Sequence, residues 1–252
     1  ADDYPGAEFK KSVRGDDGDA GGVETGRNRL ASKRRGAKRK SRGLFLAVAG
    51  IIGATEVEVV TALSDYAKAK NGVFRAEKGT TDDDEILVLY NANGNTSLLF
   101  PSDSLDWWDI SEALSRTLKK VVLSLHIHDG DFWMYILYKN GVQIDAFNPI
   151  PDYWIEDISE QEREDNRGNA EVIAQCIPGV TPDSIKKYFV TWDLESDEPG
   201  KAYPEDEYSY GDDWQMLDFL KKLRVAYPTG SDGRPLGPTY RFKIPVPPSN
   251  RK

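Results

Sequence analysis

The 252-residue chain has one cysteine, two histidines and two methionines, and each scarcity removes a class of protein. A lone Cys176 cannot close an intrachain disulfide. The fold is therefore not a disulfide scaffold, the chain fits a reducing compartment, and a cytoplasmic location is the expectation. No apolar run approaches the roughly 18 residues that would span a bilayer. The longest, Leu44 to Ala54, meets Glu56 and Glu58 at once. No signal-peptide pattern opens the sequence, although a start at Ala1 rather than Met leaves room for a trimmed leader. Nucleotide and hydrolase signatures are missing too. The only Gly-Lys is Gly200-Lys201, with Ala202 next, so no Walker A loop exists, and there is no Gly-x-Ser-x-Gly elbow. Gly 22, Pro 14 and 11% aromatics are ordinary for a globular chain and exclude collagen-like and wholly disordered readings.

What the sequence does have is charge, unevenly spread. The net −9 averages three unlike regions. Residues 1–43 hold twelve bases and seven acids, and the tract Arg27 to Arg42 contains nine bases and no acid. Residues 152–218 hold nineteen acids and five bases, and the remainder is neutral. Rich in Gly, Asp and Ser and poor in large apolar groups, residues 1–43 read as a disordered basic tail, because burial could not offset the entropy of ordering them. Its bases, Arg34, Arg35, Lys38, Arg39 and Lys40 among them, could neutralise phosphates with a strong salt dependence, which makes a nucleic-acid-associated protein one reading. No aromatic lies between Arg27 and Arg42, so single-stranded bases would find no stacking platform.

From Leu44 the pattern becomes regular. Leu44 to Ala49 reads as a buried strand, followed by a helix with Thr55 as N-cap, Glu58 completing a capping box, and Val57, Val60, Leu63 and Ala67 on one face. Asn71-Gly72 closes it, and Val73 to Glu77 is a candidate strand. Glu85 to Tyr90 and Thr96 to Phe100 flank an Asn-Gly turn, and Leu105 to Lys120 has helical core spacing. Val121 to His128, Asp131 to Lys139 and Val142 to Phe147, separated by Asp129-Gly130 and Asn140-Gly141, predict an antiparallel meander with type I′ turns. The expected fold is α+β: βαβ, then ββαβββ, a mainly antiparallel sheet with helices on one face over 44–150. Residues 151–252 read as an acidic section packed on the same core. It has a capped helix at Ser159 and Glu162, with Gly168 as a candidate break, before Cys176; another helix starts at Thr181-Pro182, a third runs from Asp212 to Leu223, and the tail is Pro-rich at Pro245, Pro247 and Pro248.

Two clusters carry candidate chemistry. In His126-Ile-His128-Asp129-Gly-Asp131, residues two apart on a strand share a face, so both imidazoles project together. With a carboxylate they could hold Zn or Fe, giving a metal-dependent hydrolase as a second reading. The string resembles the His-x-His segment of metal-dependent amidohydrolases over these six residues alone, and those families draw further histidines that this chain lacks. Asp145, Asp152 or Glu171 would have to complete the site. The blander reading makes both histidines polar residues of a hairpin and Cys176 a core residue. The acidic stretch from Asp193 to Gly200 fails the EF-hand test at positions 6 and 12. Gly50 to Gly53 is a weak phosphate-cradle shape, with Glu56 and Glu58 in the way.

The second cluster interleaves Tyr203, Tyr208, Tyr210 and Trp214 with Glu205, Asp206, Glu207, Asp212 and Asp213. Aromatic contact area bordered by acids suits a basic partner. That partner could be another protein's basic surface or the chain's own Arg27–Arg42 tract; the alternative is a solvated loop whose aromatics anchor it to the body. The leading expectation is an intracellular, non-enzymatic binding or regulatory protein with no required cofactor.

Overall fold

A computed structural model describes residues 44–245, apart from 82, 103, 105, 155–156 and 193–199. The basic tail and most of the Asp193–Gly200 stretch lie outside the described residues.

In chain order the elements are β1 (Leu46–Ile51), α1 (Glu56–Ala69), β2 (Val73–Ala76), β3 (Ile86–Ala92), β4 (Asn95–Leu99), α2 (Trp107–Leu118), β5 (Val121–His128), β6 (Phe132–Lys139) and β7 (Val142–Phe147). The acidic section adds α3 (Glu160–Asp165), α4 (Ala170–Cys176), α5 (Pro182–Ile185), α6 (Gln215–Lys222) and β8 (Thr239–Lys243). The strands form one eight-stranded antiparallel sheet in the order β2-β8-β3-β4-β1-β5-β6-β7. The fold is α+β, with the expected run of elements through β7.

Local chemistry accounts for the element ends. The Thr55–Glu58 and Ser159–Glu162 capping boxes both form. Asn93-Gly94, Asp129-Gly130 and Asn140-Gly141 all have positive φ at both positions, as a type I′ turn requires. Gly168, at φ 74°, separates α3 from α4.

The structure differs from expectation in two places. Val57 points outward, 74% exposed, and α1 instead buries Val59, Ala62, Leu63 and Ala67. Leu63 and Ala67 belong to both sets, so the buried stripe is turned by roughly a quarter turn from the expected one. Second, β8 occupies a stretch before the Pro-rich tail where no element was expected; Pro238 and Pro245 flank it, and its partners lie about 150 residues earlier, which local pattern cannot show. Arg241 of β8 binds Glu77, Asp83 and Glu85, tying β8 to both neighbouring strands' ends.

The expected helices α1 and α2 pack together, and the acidic section supplies a second helical layer on the opposite face of the sheet. Ser124 of β5 meets Ser111 of α2 at 2.8 Å on the first face. Trp133 and Tyr135 of β6 pack on Phe219 of α6 on the other, since alternate strand residues point to opposite sides. Gly50 of β1 permits this second layer, because a Cβ there would come within 2.9 Å of Val225. Buried side chains from both sections form one continuous apolar core. Among the described residues no helix is long and apolar enough to cross a membrane.

Candidate functional site

The β5–β6 hairpin places the histidines. Pairing of His126 with Met134 and His128 with Phe132 puts all four side chains on the α2 face. His126 is buried and stacks flat on Trp107, ring centroids 4.8 Å apart and planes 11° apart. Its Nδ1 has no hydrogen-bond partner among the described residues. Burial is the main reason its pKa falls to about 3, with the neighbouring His128 adding to the effect. An imidazole held neutral so far from pH 7 is a poor proton carrier.

His128 lies further out, ringed by Phe45 at 5.0 Å, Trp154 at 4.9 Å, and Phe132 and Tyr153 at 5.7 Å between centroids. Tyr153 and Trp154 come from the aromatic connector after β7, and Phe45 from the start of β1. Phe45 is 45% exposed, so the rings form a surface patch rather than sealed core.

Carboxylates border this patch. The Asp129-Gly130 turn brings Asp131 within reach of Tyr153, whose hydroxyl donates to Asp131 Oδ2 at 2.8 Å. Asp129 is exposed. Gly130 N–H donates to Leu44 O at 2.9 Å, fixing the first described residue of the chain to the turn. Asp213 reaches the same place: its Oδ2 would stand 3.8 Å from a Cβ on Gly130. Two clusters some 80 residues apart in sequence therefore meet at one corner of the sheet. Asp212 lies beside it, its Oδ1 accepting from Trp214 N–H, and Trp214 packs edge-on against Tyr227.

The rest of the second cluster behaves differently. Asp206 is buried and accepts from Tyr188 hydroxyl at 2.8 Å and Tyr203 N–H at 3.2 Å. Asp218 of α6, which sequence reasoning passed over, accepts from the N–H groups of Glu207 and Tyr208. Glu205 pairs with Lys222, and Glu207 with Lys221 at 2.7 Å; these partners hold both glutamates below the usual carboxylate range. The Tyr203 and Tyr210 hydroxyls donate to backbone carbonyls of Asp183 and Lys187, while Lys187 and Lys222 lie over the Tyr203 ring. Residues 203–210 are thus a self-satisfied layer whose charge is largely offset in place.

Two of the carboxylates expected to complete a metal site, Asp145 and Asp152, go elsewhere. Asp145 faces the opposite side of the sheet, accepting from Tyr135 hydroxyl at 2.6 Å and Asn169 N–H at 3.0 Å, and burial pushes its pKa up to about 6. Asp152 pairs with Arg163 at 3.7 Å. Among the described residues no three His, Cys, Asp or Glu side chains are grouped to hold a metal ion. The phosphate-cradle shape is occupied as well, since Gly53 N–H donates to Asn95 Oδ1. The cleft beside it, about 240 Å³ and lined by Gly53, Asn93, Asn95 and Arg224, is smaller than most small-molecule sites. Cys176 is half-buried at the end of α4.

Phe45, Trp107, Phe132, Tyr153 and Trp154 were not singled out from sequence. The one available signal was the aromatic connector ending in Tyr153-Trp154, directly after a predicted strand. Comparison with models of known protein families, with curated proteins and with solved structures finds no match for this chain.

Proposed function

We propose that the protein is a binding module that takes a basic, Arg- or Lys-rich partner at the corner formed by Phe45, His128, Tyr153 and Trp154, with Asp129, Asp131 and Asp213 as its acidic rim. The observation that carries this reading is the convergence of carboxylates from residues 129–131 and 213 on a half-exposed aromatic patch. Ring faces attract guanidinium and ammonium groups, and carboxylates beside them steer and orient the same cations. Tyr and Trp supply contact area with little entropy to lose, which suits an interface anchor. The centre of the proposed surface moves away from residues 203–210, whose acids and hydroxyls already serve the fold.

The test is binding of a fluorescein-labelled Arg/Lys dodecapeptide by the full chain, read by anisotropy and Trp fluorescence. Neutralising the rim (Asp129→Asn, Asp131→Asn, Asp213→Asn) should weaken binding about tenfold, at about 0.5 kcal/mol for each exposed charge. Affinity unchanged by the triple variant, with the fold intact by circular dichroism, would refute the assignment.

A further inference from the structure

The corner is also where the basic tract joins the folded body. Leu44 O is held by Gly130 N–H, and the next residue, Phe45, places its ring on His128. The cations begin two residues before Leu44, at Arg42. At 3.3–3.6 Å per residue, Lys40 can lie at most about 14 Å, and Arg34 at most about 36 Å, from Leu44 along the chain. The tract is therefore tethered beside Asp129, Asp131 and Asp213, with nine bases and no acid from Arg27 to Arg42. A segment on so short a tether has an effective concentration of about 1 mM, higher than most outside partners reach. Charges of opposite sign closer than a Debye length, about 8 Å at physiological salt, are only partly screened from one another.

We infer that residues 27–42 dock in cis on the aromatic, acid-rimmed corner and compete there with any outside basic partner. This rests on the reading of the corner as a cation-binding surface and adds its regulation. Binding in trans then depends on displacing the tract, and modification that removes its positive charge opens the site. Against an intrinsic dissociation constant of about 0.1 mM, a competitor at about 1 mM effective concentration weakens outside binding roughly tenfold.

The test uses full chains throughout. A zero-length carbodiimide crosslinker, applied at low salt to an equimolar mixture of ¹⁴N- and ¹⁵N-labelled protein, should join Lys38 or Lys40 to Asp129, Asp131 or Asp213 within one isotope. High salt should suppress these links. Absence of such links overturns the inference, and links that mix isotopes overturn it in favour of a tail reaching a second copy. In parallel, the full chain carrying Arg34→Gln, Arg35→Gln, Lys38→Gln, Arg39→Gln and Lys40→Gln should bind the labelled dodecapeptide about tenfold more tightly than the unaltered chain. Equal affinity of the two chains overturns the tail inference while leaving the corner as a cation site. Failure of both to bind overturns the cation-site reading itself.

Discussion

Two stretches of this protein share a composition and not a role. The layer over residues 203–218 and the corner around Gly130 are both built from Tyr, Trp, Asp and Glu. In the layer, Glu205, Asp206, Glu207, Asp212 and Asp218 each answer a lysine, a tyrosine hydroxyl or a backbone N–H of the same layer or of its immediate support. At the corner, acids border aromatic rings that remain partly open to solvent. The difference teaches that acidic-aromatic composition marks either a scaffold or a surface, and that the partner of each carboxylate decides which. Asp206 and Asp218 are buried, where a polar group left without a hydrogen bond is costly, whereas Asp129 is exposed to water.

The contrast can be broken most forcefully at Asp218. Asp218→Ala leaves the Glu207 and Tyr208 N–H groups without their acceptor and should cost about 3 kcal/mol, read as a lower urea midpoint at unchanged m-value. Dodecapeptide binding by the folded variant should not change. A loss of binding without loss of stability would reverse the roles assigned to the two regions.

Depth gives the next test, because a buried base lies beneath the corner and a half-buried acid on the opposite face of the sheet. His126, held neutral with its pKa near 3, is lower in the folded than in the unfolded state. Its contribution is complete above about pH 6.5 and fades as pH falls toward 3, by about 2–3 kcal/mol between pH 7 and 4.5. Asp145, raised to about 6, has the opposite sign: its folded state holds the proton more tightly, so stability is complete below about pH 4 and falls as pH rises through 6. That change is about 2 kcal/mol, and the two offset each other over pH 4–6. His126→Phe should therefore leave a protein that gains stability on acidification over that range, whereas Asp145→Asn should leave one that loses it. Parallel urea titrations at pH 4.5 and 7 distinguish the outcomes, and identical pH slopes in the two variants would remove the buried-pair explanation.

The smallest effect is expected at the corner itself. Asp131→Asn retains an acceptor for the Tyr153 hydroxyl and should change stability by no more than about 0.5 kcal/mol. It should still weaken dodecapeptide binding by two- to threefold, the share of one exposed charge. A large drop in thermal midpoint would place Asp131 in the scaffold group beside Asp206.

Much of the fold was legible because its signals are local. Capping boxes at Thr55 and Ser159, Asn-Gly and Asp-Gly turns, and the alternation of β5 to β7 each specify structure within ten residues. What sequence did not show depends on distant partners: β8 between β2 and β3, the second helical layer against Trp133 and Tyr135, and the outward turn of Val57. The corner was half legible. Its histidines and carboxylates were identified, but as two unrelated clusters, since nothing in a linear pattern brings Asp213 to Gly130. The aromatic shell around His128 comes from Phe45 and Tyr153-Trp154, contributed by segments on either side of the hairpin.

The insertion of β8 also bears on how the chain is assembled. Among the described residues β2 has no sheet neighbour other than β8, and β3 pairs with β4 on one side and β8 on the other. The meander β5 to β7 can close from turns of two or three residues, but this half of the sheet waits for residues 239–243. Until they are synthesised, the hydrogen-bonding edge of β3 stays open beside Leu87 and Leu89, a template for pairing with other nascent chains. Such long-range pairing is slow to form, so a release of translation shortly before residue 239 should yield aggregation rather than a smaller stable protein.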